Sequence, residues 1–105
     1  MIDWLRVNEL KSDLGDDMFD EILPVFIDEI SELLDQMPSK SDPVDIAGIC
    51  HSIKGSAANL GFEALAQVAS DGEKSANEGA VPTGIEAELR DKFQSAQAEL
   101  SDQFG

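Results

Sequence analysis

Apolar residues recur along this chain every three or four positions and almost nowhere at every second position. That spacing predicts helices and leaves no segment with the alternation of a strand. Trp4, Val7, Leu10 and Leu14 mark a short first helix over 3–14, with Asp3 placed to cap it. Gly15 breaks the pattern, and Asp16 and Asp17 stand where the positive end of a helix dipole favours acids. Phe19, Ile22, Leu23, Phe26, Ile30, Leu33, Leu34 and Met37 then hold one face of a long second helix. Pro24 falls inside that face. It lacks an N–H and crowds the preceding turn, so a kink or a late start is expected there.

Pro38 closes the segment, and the next start signal is clear: Asp42 as N-cap, Pro43 at the first helical position, Asp45 in the first turn. The third helix is predicted to run to Leu60, where Gly61 supplies a left-handed stop. A fourth, over 62–76, turns Leu65, Val68, Ala69 and Ala76 inward and ends at Glu78-Gly79. A fifth opens with Thr83 and Glu86 at the spacing of a capping box and lines up Ile85, Leu89, Phe93, Ala96 and Leu100. Four long amphipathic helices on short loops predict an all-α fold. The expected form is an antiparallel up-down four-helix bundle with the short first helix packed on a side or an end. The length suits one domain, 1–105, with one core.

Charge narrows the partners. Lys and Arg number 7 against 22 Asp and Glu, a formal net charge of -15. Nucleic acid needs a basic footprint and an anionic membrane surface attracts cations, so neither is expected to bind; a neutral or basic protein surface is. The single cysteine excludes an internal disulfide. No basic start followed by an apolar run stands at the N-terminus, and no apolar run approaches the ~20 residues of a membrane span. A cytoplasmic protein is the expectation. The start at Met1 and the end just past the last helix favour an independent small protein.

The third helix holds the only histidine, in the stretch CHSIKGSAANLG, and the pattern shows where it points. Ile46, Cys50, Ile53, Ala57 and Leu60 form the core stripe. At about 100° per residue His51 lies about 140° from the centre of that stripe, facing away from the core. Its neighbours at three and four residues are Ala47, Gly48, Lys54 and Gly55, with Ala58 two turns on. All but Lys54 are Gly or Ala. Glycine inside a helix costs ~1 kcal/mol relative to alanine. Two glycines on the face of the histidine point to steric access rather than stability. A neutral imidazole is a good nucleophile near pH 7, and Lys54 is placed to offset charge on a transferred phosphoryl group. The constellation suits a histidine that takes a phosphoryl group from one protein and passes it to another. Cys50, on the apolar stripe, reads as core, as do Phe19, Phe26 and Phe93. A metal site is not expected, since His51 and Cys50 are adjacent in sequence and point in different directions on a helix. Asp16, Asp17, Asp20 and Glu21 lack the spacing of a calcium loop.

The run H-S-I-K-G-S-A-A-N-L-G resembles the signature of histidine-containing phosphotransfer (HPt) domains, H-x-x-K-G followed by small residues and a later helix-ending glycine. The pattern falls on His51, Lys54, Gly55, Ser56, Ala57 and Gly61. The resemblance implies a phosphoryl group on Nε2 of His51, exchanged with an aspartate of a receiver domain in a response regulator or hybrid histidine kinase. That receiver would supply the magnesium ion and most of the catalytic groups, so this chain would hold no cofactor and no ATP site. It implies that a Gln or Glu from the next helix fixes the other ring nitrogen, a place that Glu73 occupies. Ala69 and Gly72 stand where the family usually has larger residues, which predicts loose packing in the fourth helix. Gly48, Ala47 and Ala58 are expected to take part in docking, with Phe62 at the rim. The docking surface should combine the His51 face with the exposed side of the second helix, as a transient contact below ~1,200 Å². A monomer is expected. Two other readings stay open: a helical adaptor in which His51 is incidental, and a phosphoacceptor segment cut from a chemotaxis-type kinase.

Overall fold

The computed structural model describes residues 2–104; the ends of the expected 1–105 domain, Met1 and Gly105, lie outside the described residues. Among these, the chain forms five α-helices, α1 (Trp4–Leu14), α2 (Asp16–Gln36), α3 (Pro43–Leu60), α4 (Glu63–Asn77) and α5 (Ile85–Phe104), and a 3-10 turn over Met37–Ser39. The connections between the four long helices are short, so neighbours run antiparallel. The result is an all-α bundle 42 Å long and about 20 Å across. Helix α3 packs against α1, α2 and α4, and α5 closes the bundle against α4 and α2.

The helix ends follow from their residues. The Asp3 carboxylate accepts from the Arg6 N–H, and that of Asp42 from the Val44 N–H. Gly61 ends α3 at φ 76°, with its own N–H and that of Phe62 returning to the carbonyls of Ala58 and Ala57, a Schellman arrangement. Gly61 is required there twice over. Its carbonyl accepts the Asp3 N–H at 2.7 Å, and a Cβ would stand 2.7 Å from the Asp3 carbonyl oxygen. Two arginines serve helix C-termini from outside: Arg6 donates to Asn59 O at the end of α3, and Arg90 to Leu34 O near the end of α2.

Three expectations change. Helix α2 does not start late: it begins at Asp16 and runs through Pro24. Pro24 is exposed, and the apolar residues on either side of it, Phe19, Leu23, Phe26, Ile27 and Ile30, are held by the core. That packing outweighs one missing backbone bond. The capping box at Thr83 does not form. Gly84, at φ 75°, turns the chain after Thr83 and offers the first helical carbonyl to Glu88, while Glu86 instead bonds Arg90 at 2.8 Å. The loose packing expected around Ala69 and Gly72 is absent, because both are buried and Ile85 from α5 fills the space over Gly72.

The core takes its residues from all five helices. The predicted stripe of α3 is buried throughout, and Ile49, Ala47 and Ser56 join it. A helix packed by three neighbours buries a wider arc than one stripe. Among the described residues, no helix is long and apolar enough to cross a membrane.

Candidate functional site

The wide buried arc of α3 leaves a narrow exposed strip, and His51 stands in it. Cys50, just before it, is fully buried, whereas the His51 side chain is 68% exposed. Along the same strip Gly48, Ser52, Gly55 and Ala58 are exposed. A Cβ added at Gly48 or Gly55 would meet nothing within 4 Å, so packing within the chain does not require glycine at either place. Ala47, expected at the docking surface, is 6% exposed, for it falls at the edge of the buried arc. Phe62, expected at its rim, is wholly buried: the left-handed turn at Gly61 swings its ring inward, where it joins the core as its largest fully buried side chain.

Helix α4 supplies the partner of the imidazole. Glu73 Oε2 lies 2.8 Å from His51 Nδ1, and Glu73 Oε1 lies 2.6 Å from Lys54 Nζ. One carboxylate, 18% exposed, thus joins the two polar residues of the H-x-x-K pair. The Lys54 ammonium, by its hydrogen bond above all, and the His51 hydrogen bond hold the Glu73 carboxyl below its usual range against the opposing effect of burial. An ionised carboxylate only accepts, so Nδ1 of His51 must carry the hydrogen and donate it. In the neutral ring the lone pair is then on Nε2, the nitrogen away from Glu73. Beneath, burial pushes the Cys50 thiol up to about 11, with the charge of Glu73 adding to the effect. That thiol is protonated at neutral pH and belongs to the core.

Lys54 reaches Glu73 because both side chains face the seam along which α3 and α4 pack tightly. Sequence spacing within α3 shows that Lys54 neighbours His51, but not that a single carboxylate on α4 binds both. On the other side of His51 an open groove separates α2 from α3, lined by Leu33, Gln36, Val44, Gly48, Ile49 and Ser52. Val44 is largely exposed there. Among the described residues, no group of three His, Cys, Asp or Glu is placed to hold a metal ion.

Comparison with the curated proteins and with the solved structures returned no match. Comparison with protein families did: the model of the Hpt domain matches residues 21–99. The match begins in the second turn of α2, ends near the close of α5, and leaves out α1. It therefore spans His51, Lys54 and Glu73, and the chain belongs to the Hpt domain family, the phosphocarrier modules of histidine phosphotransfer in phosphorelays.

Proposed function

We propose that this chain carries a phosphoryl group on Nε2 of His51 and exchanges it with the aspartate of a receiver domain. The observation that carries the reading is the hydrogen bond of Nδ1 to an ionised Glu73, which leaves Nε2 as the nucleophile on a solvent-facing ring. In transfer to this chain, the Nε2 lone pair attacks the phosphorus of an aspartyl phosphate. The N–P bond forms as the P–O bond breaks, and the aspartate leaves as a carboxylate. The ring keeps its Nδ1 hydrogen and becomes cationic, and Glu73 balances that charge. In the reverse direction the aspartate carboxylate attacks, and neutral imidazole leaves. A group transferred this way depends on position and electrostatics more than on covalent help from the carrier.

Lys54 stands one turn from His51 and is half-exposed, within reach of a phosphoryl oxygen once it swings from Glu73. Gly48 and Gly55 give the partner's aspartate clearance, and Ala58 extends the smooth strip. The groove between α2 and α3 extends the docking surface. Any magnesium ion belongs to the receiver, and the phosphoryl group comes from that partner rather than from ATP bound here. The chain is proposed to act as a monomer.

The test is radiolabel transfer from a panel of phosphorylated receiver domains to the parent and to His51→Gln. Label that is acid-labile, base-stable and absent from the variant is the expected result. A complete panel that leaves the folded parent unlabelled would overturn the reading in favour of an adaptor.

A further inference from the structure

One residue before His51 on α3 and one residue before Glu73 on α4, a second contact joins the same two helices: Cys50 against Gly72. A Cβ built on Gly72 would lie 3.1 Å from Cys50 Sγ, and 3.0 and 3.3 Å from Ile85 Cδ1 and Cγ1. Gly72 is buried in the interior of α4 and is not among the glycines with positive φ. It is therefore not needed for an unusual backbone conformation, and glycine is a poor interior helix residue. What it provides is the absence of a side chain where α3, α4 and α5 meet.

We infer that Gly72 is a positioning residue: by letting the Cys50 sulfur close onto the α4 backbone, it sets the α3–α4 spacing at which Glu73 reaches both His51 and Lys54. Two of the three atoms that crowd the position belong to Ile85, whose outer carbons can turn aside. The third, Cys50 Sγ, cannot do so easily. It sits one bond beyond a Cβ fixed on the fully buried stripe of α3. A methyl group at position 72 therefore presses α3 and α4 apart at the level of the site. The shift needed is a few tenths of an ångström, and the hydrogen bonds from Glu73, short at 2.8 and 2.6 Å, lengthen and weaken by it. As the bond to Nδ1 weakens, the ring places its hydrogen on Nε2 for part of the time, and in that fraction the exposed nitrogen has no nucleophilic lone pair.

The consequence for transfer rests on the phosphocarrier reading, but the position of the ring hydrogen does not, so the test reads both. The experiment compares the parent, Gly72→Ala, Cys50→Ala and the double variant. Long-range ¹H–¹⁵N spectra of the one histidine report the tautomer, and label transfer from a phosphorylated receiver reports the rate. The parent is expected to hold the Nδ1–H tautomer. Gly72→Ala should populate both tautomers and transfer roughly tenfold or more slowly, with the fold retained, since the helix preference of alanine offsets much of the crowding. Cys50→Ala alone should leave the ring unchanged, and the double variant should recover the parent spectrum and most of the rate. A parent-like ring in Gly72→Ala would overturn the inference, showing that Ile85 absorbs the methyl group. So would failure of the double variant to recover. If Gly72→Ala does not fold, Cys50→Val presses on the same contact from α3 and must produce the same change in tautomer. If no receiver labels the parent, the carrier reading falls while the spectra still decide the role of Gly72.

Discussion

At the scale of single residues, the site depends on how one carboxylate is shared. Glu73 binds Nδ1 of His51 and the ammonium of Lys54, and the Lys54 hydrogen bond is the main cause of its lowered pKa. Glu73→Gln keeps an acceptor for Nδ1 but removes the charge that would balance the cationic ring of the proposed phosphohistidine. Its transfer rate should fall by about tenfold, and that of Glu73→Ala by about a hundredfold, in single-turnover assays. The sign of the pH dependence follows from the direction of the shift. A carboxyl held below its unfolded value of 4.5 adds stability that is present above that pH and is lost as pH falls through the lower folded value. Denaturant unfolding should therefore show the parent more stable than Glu73→Gln at pH 6, with the difference shrinking as pH falls below 4.5. Lys54→Ala removes the main cause of the shift. The Glu73 contribution to its acid destabilisation should be smaller and complete at a higher pH than in the parent, and its transfer should be slower with the fold intact. Equal transfer rates in Lys54→Ala and the parent would remove Lys54 from the mechanism.

At the scale of helices, the junctions carry the sharpest consequences. Gly61→Ala forces a left-handed φ of 76° on a residue with a Cβ and drives that atom against the Asp3 carbonyl. A loss of about 2–4 kcal/mol in unfolding free energy is expected. Pro24→Ala should act in the opposite direction, adding about 1–3 kcal/mol, because it restores a helical N–H at an exposed position of α2. Chemical denaturation of the two variants measures both. These elements also mark how much of the fold could be read from the chain. Helix α3 and its outward histidine followed from period and caps, since Asp42, Pro43 and Gly61 are local signals. Glu73 could be placed opposite His51 only by resemblance, because the facing of two helices is not written in the period of either. Phe62 and Thr83 misled for one physical reason. Each stands next to a glycine with positive φ, and the turn at that glycine, not the residue type, decides where the side chain goes. Gly72 suggested a gap when read within α4 alone, but the residue that fills it arrives from α5.

At the scale of the whole molecule, charge acts on folding and on encounter in opposite directions. A formal net charge of -15 on 105 residues places the folded chain under self-repulsion. Helix α2 concentrates it, with eight carboxylates and no lysine or arginine in its 21 residues. Of these, Asp35 is bound by Arg90, and Asp16 has Lys11 at 4.0 Å. Added salt screens such repulsion, since the Debye length falls from about 30 Å at 0.01 M to about 10 Å at 0.1 M. The melting temperature should therefore rise over that interval. The same helix forms one wall of the groove beside His51 and would meet a docking receiver. Its field attracts a basic rim on that receiver and speeds encounter, and screening removes the advantage. For a receiver with a basic docking face, transfer measured as kcat/KM should fall over the salt range in which stability rises. The single-turnover rate within the complex, which depends on His51, Lys54 and Glu73 at close quarters, should change little. If kcat/KM and the melting temperature rose together with salt, the acidic face of α2 would be a burden on folding with no part in docking. Opposite trends would identify that face as the part of the bundle that selects its partner by charge.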